Sequence, residues 1–313
     1  MPSKHNGRRQ AAMNDDLLSA PKTKKGRLQR ALLELLHEHE RDGAIPTNGR
    51  FLFYELEQAG VVPKHYPKGA TRTQRTPATD VTCALTDLRQ LGLIPWGWIT
   101  DETRHLTSWQ YALSVSEYVA SSVDDARIDL WGGEEPPLLI CEARGVMGVL
   151  EDLAAEYLVP ITATAGQCGG FLVTEVAPKL TSGRHVGYIG DYEIRGPADQ
   201  IEANTRRVLE RHAGREFDEN SWQRIALTQK QVNASKALRE SVIEKFDGRY
   251  KPAKRYEAVE CEAIKQTVLV KLVRKWLDAR LPEPLQRVLE REAEQRNRVA
   301  QTLDDMDWDD DDA

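Results

Sequence analysis

Hydrophobic positions in the first third of the chain recur at helical spacing. Leu28, Leu32, Leu33, Leu35 and Leu36 form a stripe ending near Asp42-Gly43, which predicts a helix over residues 26–42. Thr47 or Asn48 is placed to cap a second helix over residues 49–59, stopped by Gly60. A third helix is predicted over residues 78–91, stopped by Gly92, with Val81, Leu85 and Leu88 on one side. Residues 94–98 and 108–113 then read as two strands joined by residues 100–107. Three helices followed by a hairpin predict a winged helix-turn-helix domain over residues 26–120. The third helix of such a domain commonly enters the major groove of DNA.

Beyond residue 121 the pattern changes. A stretch rich in Gly, Glu and Pro (Gly132, Gly133, Glu134, Glu135, Pro136) predicts a linker over residues 121–136. Short apolar runs at 138–141, 159–165, 185–189 and 221–227 then alternate with helical patterns at 144–157, at 169–180 and from near Pro197. Buried strands alternating with helices predict parallel βαβ units over residues 137–300. The first run stops at Glu142, and the third ends in Gly190-Asp191-Tyr192-Glu193-Ile194-Arg195-Gly196. Ligands of such sheets sit beyond the carboxyl ends of the strands, so Glu142, Asp191 and Glu193 are expected to meet in one crevice. Three hard oxygen donors suit magnesium, with manganese as a substitute, rather than zinc. The plainer role for the same acids is at helix starts. Farther on, Lys245, Arg249, Lys251, Lys254 and Arg255 read as a basic loop with Tyr250 and Tyr256 among them. Glu257 is expected to begin a helix that continues past Trp276. Leu281-Pro282-Glu283-Pro284 interrupts the pattern, and a charged helix follows to about Leu303.

Composition narrows the class. With 313 residues and 40% hydrophobic content, the chain is long enough for two domains with a substantial core. No apolar run approaches a membrane span, and the polar, basic start is not a secretory signal, so a cytoplasmic, nucleoid-associated location is expected. Four scattered cysteines without a CxxC pair exclude a disulfide frame or a zinc site. The net charge of −6 argues against nucleic acid only until its distribution is considered. Asp304, Asp305, Asp307, Asp309, Asp310, Asp311 and Asp312 crowd the end of the chain, and without these seven acids the balance becomes +1. Residues 301–313 are therefore expected to be an acidic disordered tail, and residues 1–25 a flexible basic arm.

The acid-bearing motifs carry a resemblance. A Glu closing one strand, followed by Asp191-x-Glu193-x-x-Gly196 closing a later one, resembles the Toprim fold of topoisomerases, primases and related nucleases. That family usually has Asp at the second acid; the chain has Glu193. Arg50-Phe51-Leu52-Phe53-Tyr54 is similar to the Arg-x-x-aromatic-Tyr element of the topoisomerase VI A subunit and its meiotic double-strand-break relatives. The Pro that this branch carries after the second acid is Ile194 here. The resemblance implies a winged-helix domain followed by a Toprim-like domain, with a mainly parallel sheet flanked by helices. It also implies Tyr54 as nucleophile, Arg50 as the cation one helical turn away, and a 5′-phosphotyrosyl product. Glu257-Ala258-Val259-Glu260-Cys261-Glu262-Ala263 resembles the Glu-x-x-Ala stretch of the same family, with Glu262 a residue that could orient the site. Free phenols are poor nucleophiles at neutral pH, which is why a neighbouring cation or base is needed. The second aromatic of a run as apolar as Phe51-Leu52-Phe53-Tyr54 also fits a simple core face.

The resulting expectation is Mg²⁺-dependent double-strand cleavage of DNA by tyrosine transesterification, in the manner of a type IIB topoisomerase. Glu142 serves both as ligand and in catalysis, and a homodimer brings one subunit's tyrosine to the other's acids. The alternatives are a Toprim nuclease in which water attacks, as in defence or plasmid-clearance proteins, and a non-catalytic DNA-binding protein. Phosphate contacts are expected from Lys68, Arg72, Arg75, Arg89, Arg206, Arg207, Lys251, Lys254 and Arg255. No Walker-type GxxxxGK[ST] occurs, so ATP-driven strand passage would need a separate ATPase subunit.

Overall fold

The computed structural model describes residues 17–66, 76–100, 111–164, 169–180, 183–196, 200–247 and 252–306. Lys68, Arg72, Arg75 and Lys251 lie outside the described residues, as do most of the basic arm, much of the acidic tail and the first half of the expected second wing strand, whose described residues 111–113 form no strand.

The three N-terminal helices form where the apolar spacing places them: α1 at Lys24–Arg41, α2 at Gly49–Gln58 and α3 at Pro77–Gln90. Each has a polar cap. Thr23, Asn48 and Thr76 accept backbone N–H groups of the first turn, which satisfies donors that a helix start leaves orphaned. The expected strand at 94–98 is not formed. Pro95 has no N–H to give a ladder, and Trp96–Trp98 closes a 3₁₀ turn instead. Ile99, just beyond that turn, makes an isolated parallel bridge with Thr47. A short helix, α4 at Val115–Val123, follows.

The α/β character is as expected. Strands β1 (Leu138–Cys141), β2 (Ile161–Ala163), β3 (Val186–Ile189) and β5 (Trp222–Ala226) form a parallel sheet in the order β2-β1-β3-β5. The helical pattern after β1 breaks at Gly148 into α5 (Arg144–Gly148) and α6 (Glu151–Glu156). Residues 169–180 wind through a π-helical turn, and α7 spans Ile201–Ala213. Both sheet faces are covered, which is why the central strands β1 and β3 are buried along their whole length. Leu138, Ile140 and Tyr188 pack with Leu172, Val176 and Leu209 on one side. On the other, Leu139, Cys141 and Ile189 join a core that includes Leu269, Val273 and Leu277 of α10 (Gln266–Asp278). That same core takes in Leu32, Phe51, Leu52 and Leu88, so the N-terminal helices and the sheet share one hydrophobic interior.

A second sheet departs from expectation. Strand β4 (Tyr192–Ile194) leaves the parallel sheet and pairs antiparallel with β7 (Lys254–Val259), which pairs with β6 (Ile243–Asp247). The segment expected as a basic loop is thus a hairpin. Its period-2 alternation turns Lys245 and Asp247 inward and Glu244 and Phe246 outward. The helix expected from Glu257 begins only at Gln266, because Val259 and Ala258 are paired with Tyr192 and Glu193 in the ladder. Short helices α8 (Gln229–Ala234) and α9 (Lys236–Glu240) precede the hairpin, and α11 (Leu285–Asp304) closes the described chain as expected.

Candidate functional site

The site grows from the register of the two central strands. Cys141 of β1 lies opposite Ile189 of β3, so the next residues, Glu142 and Gly190, face each other at the carboxyl edge. The Glu142 N–H donates to the Ile189 carbonyl at 2.8 Å, which continues the ladder by one residue. Gly190 then leaves room for the Glu142 side chain. A methyl group there would stand 2.6 Å from Glu142 Oε2 and 2.8 Å from Tyr188 Cε1. Into that space the Asp191 N–H donates to Glu142 Oε2 at 3.1 Å.

Asp191 faces two ways. Its Oδ1 accepts the Cys261 N–H at 2.8 Å, and its Oδ2 accepts a short charge-assisted bond from the Lys245 ammonium. Glu193 is 3% exposed; it accepts the Ile201 N–H at 2.7 Å and pairs with Arg195, which also donates to Asp247 at 2.6 Å. The three sequence-predicted acids therefore share one region. Glu142 and Asp191 meet, while Glu193 is turned toward Arg195. Among the described residues no group of three or more His, Cys, Asp or Glu side chains is placed so that it could hold a metal ion.

Charge crowding is visible at Glu142. Burial first, then the Asp191 and Glu193 carboxylates, push its carboxyl from 4.5 up to about 8. Burial also lifts Glu262 to about 7, against the pull of Arg50. Between pH 4.5 and 8 folded Glu142 holds a proton that the unfolded chain releases. Its stabilising contribution is whole below 4.5 and is lost as the pH rises through about 8. In the absence of divalent cations, thermal stability is expected to fall over this window. Glu142→Gln is expected to flatten that fall and to gain roughly 2 kcal/mol over the wild type at pH 8. Equal pH slopes in differential scanning calorimetry of the two proteins would refute the crowding.

The candidate nucleophile arrives from the other end of the chain. Phe51, Leu52, Phe53, Tyr54 and Leu56 are all buried, so α2 does present a core face. Asn48 fixes where that face lies: its Oδ1 accepts from Arg50 N and Phe51 N, and its Nδ2 donates to the Gly145 carbonyl at 2.8 Å. Gln58 Nε2 donates to Ala263 O at 2.8 Å and secures the far end of the helix. Held this way, the Tyr54 hydroxyl donates to Glu260 Oε2, and the Arg50 guanidinium reaches both Glu260 and, at 3.1 Å, Glu262. Glu260 Oε1 lies 3.4 Å from Lys245 Nζ, which is bonded to Asp191. One chain of contacts, Tyr54–Glu260–Lys245–Asp191–Glu142, thus joins the aromatic motif to the acids.

The contacts from Tyr54 to Asp191 lie within one chain. Tyr54 itself is only 4% exposed. Burial and the Glu260 carboxylate push its phenol well above the usual range. Arg50 has a half-exposed side chain; its positive charge is reinforced because Glu262 and Glu260 outweigh the cost of its burial. Lys245 is likewise kept charged, with Asp191 outweighing desolvation.

Comparison of the chain with protein-family models, with curated proteins and with solved structures finds no match.

Of the expected DNA contacts, Arg89 donates to the Trp96 and Ile99 carbonyls and braces the 3₁₀ turn. Arg206 is held by Glu210 and the Phe217 carbonyl. Arg255 lies on the outer face of the hairpin with Glu244 at 3.4 Å and its guanidinium over the Phe246 ring, while Arg207 and Lys254 are exposed. Lys245, Glu260 and Arg195 were missed as site residues. The available signal was the alternation Ile243-Glu244-Lys245-Phe246-Asp247, which marks a strand with an inward lysine.

Proposed function

We propose that the chain is a magnesium-dependent DNA strand-cleaving protein, with Tyr54 as attacking group and Glu142, Asp191 and Glu193 as the cation-holding acids. The observation that carries this reading is the contact path from Tyr54 through Glu260 and Lys245 to Asp191. Two motifs separated widely in sequence meet at the carboxyl edge of a parallel sheet, where ligands of such sheets bind. The chemistry of Glu142 and Asp191 is the kind a hard cation takes: all-oxygen, crowded enough to raise Glu142, and already attracting an ammonium group, while Glu193 would have to turn from Arg195 to join them. Bound there, magnesium would supply charge neutralisation on a phosphate oxygen.

The chain's own residues supply the rest. Arg50, half-exposed and permanently charged, is suited to a bidentate hold on a phosphodiester. Glu260 and Arg50 fix the direction of the Tyr54 hydroxyl. Gly190 lets the Glu142 carboxylate lie against the Asp191 backbone. In this reading the three N-terminal helices are a winged-helix-like DNA-binding unit, and the parallel sheet is Toprim-like. Double-stranded DNA is the partner, and the location is the nucleoid. Because each chain carries one such site, cutting both strands takes two copies. A separate ATPase subunit would be needed for strand passage. Among the described residues, no helix is long and apolar enough to cross a membrane.

A second reading, in which water attacks, is favoured by the burial and raised phenol of Tyr54. Supercoiled plasmid incubated with protein and Mg²⁺, then stopped with SDS with and without protease, separates the two. Protein-linked ends that vanish in Tyr54→Phe are expected. Protein-free ends that persist in Tyr54→Phe would establish the hydrolytic reading, and no cleavage with any divalent cation would overturn both.

A further inference from the structure

We propose that Glu260 is the catalytic base for Tyr54: its carboxylate takes the phenolic proton as the oxygen attacks phosphorus. This deepens the transesterase reading and rests on it. Glu260 lies in the Glu-x-x-Ala stretch, and its contacts are what point to this role. Glu260 Oε2 accepts the Tyr54 hydroxyl and also touches Arg50, while Oε1 faces Lys245 at 3.4 Å. Among the described residues, Glu260 is the carboxylate that accepts from that hydroxyl. Glu142, the acid that heads the resembling motif, is instead committed to the Asp191 N–H and the Tyr188 hydroxyl.

Burial alone would make Glu260 harder to ionise. Arg50, the Tyr54 hydroxyl and Lys245 outweigh that cost and hold the carboxyl below its usual range, so it is ready to accept a proton at neutral pH. The step balances without a further reactant. The Tyr54 O–H bond breaks and its proton goes to Glu260, while the oxygen's electron pair forms the new O–P bond. The phosphorus–oxygen bond to the 3′ sugar breaks, and that oxygen leaves with its electron pair and takes a proton from water. Glu260 then returns its proton to solvent. Arg50 offsets the charge that develops on the phosphate, and Lys245 keeps the second carboxylate oxygen fixed.

The test is single-turnover formation of the protein–DNA adduct on supercoiled plasmid with Mg²⁺, followed from pH 6.5 to 9.5. It compares wild type with Tyr54→Phe, Glu260→Gln and Glu260→Asp. Wild type is expected to form an adduct that Tyr54→Phe abolishes. Glu260→Gln is expected to slow it by roughly 10²–10³-fold at pH 7, with the deficit shrinking as hydroxide replaces the base, and Glu260→Asp is expected to restore part of the rate. A deficit of constant size at every pH, or no deficit, would overturn the role of Glu260 while leaving Tyr54 as nucleophile. Absence of any adduct in the wild type would instead overturn the nucleophile reading, and Glu260's role with it.

Discussion

Asp191→Asn is expected to abolish DNA cleavage, with a loss of at least 10²-fold, while shifting the melting temperature by only a few degrees. The two effects part because Asp191 does opposing things. Its carboxylate holds Lys245 and the Cys261 N–H, and losing that charge leaves a partly buried ammonium with Glu260 as its remaining acid. Breaking a buried pair costs several kcal/mol when the remaining charge is fully enclosed, but the Lys245 side chain keeps about a quarter of its surface in water. The same substitution removes the neighbouring carboxylate that most strongly opposes ionisation of Glu142. The net cost is therefore about 1 kcal/mol. The proposed activity has no such compensation, since one acid of the proposed cation-holding set and the anchor of Lys245 disappear together. Thermal melting and plasmid cleavage measured on one preparation check both halves. A variant that cleaves as well as the wild type would remove Asp191 from the site.

Gly190→Ala is expected to be strongly damaging at the carboxyl edge of the sheet. Glycine is needed here because of what it faces rather than because of its backbone angles. The added carbon would meet Glu142 Oε2 at 2.6 Å, Tyr188 Cε1 at 2.8 Å and Glu142 Cβ at 3.1 Å. Neither neighbour can yield easily: Tyr188 is fully buried, and the Glu142 carboxylate is tied to the Asp191 N–H. Overpacking of this kind costs roughly 1–3 kcal/mol. The larger effect falls on function, because moving the Glu142 carboxylate by about 1 Å is enough to lose on the order of 10²-fold in rate. Gly196, the glycine of the acid motif, is the control. A methyl group there meets nothing within 4 Å, so Gly196→Ala is expected to leave both stability and activity near wild type. A tolerated Gly190→Ala would show that the close approach of Glu142 to Asp191 is dispensable.

How much of this was legible along the chain depended on whether a residue's role was local. The apolar run 138–141 ending in an acid announced both a buried strand and its carboxyl edge, and the strand forms over those residues. The helices from 24 to 90 were legible because leucine spacing and Asn, Thr and Gly signals agree on where each starts and stops. Position 95 shows the limit: an apolar run around a proline looks extended, yet the missing N–H denies it a ladder. The β6–β7 hairpin was obscured because its strands carry Glu244, Lys245, Arg255 and Glu257, so charge density suggested a solvated loop. Only pairing with β4 explains why such a sequence is a strand. That Lys245 and Glu260 join Tyr54 to Asp191 was illegible for a deeper reason. Their contacts bridge sequence separations of 54 residues to Asp191 and 206 to Tyr54, and no local pattern encodes such a meeting.

The central claim, that Glu142 and Asp191 act together to hold one divalent cation, is tested most directly by titrating Mn²⁺ into the protein and counting bound ion by electron paramagnetic resonance. One ion per wild-type chain is expected, with affinity at least tenfold weaker in Asp191→Asn. Equal binding by the two proteins, or none by the wild type, would contradict it.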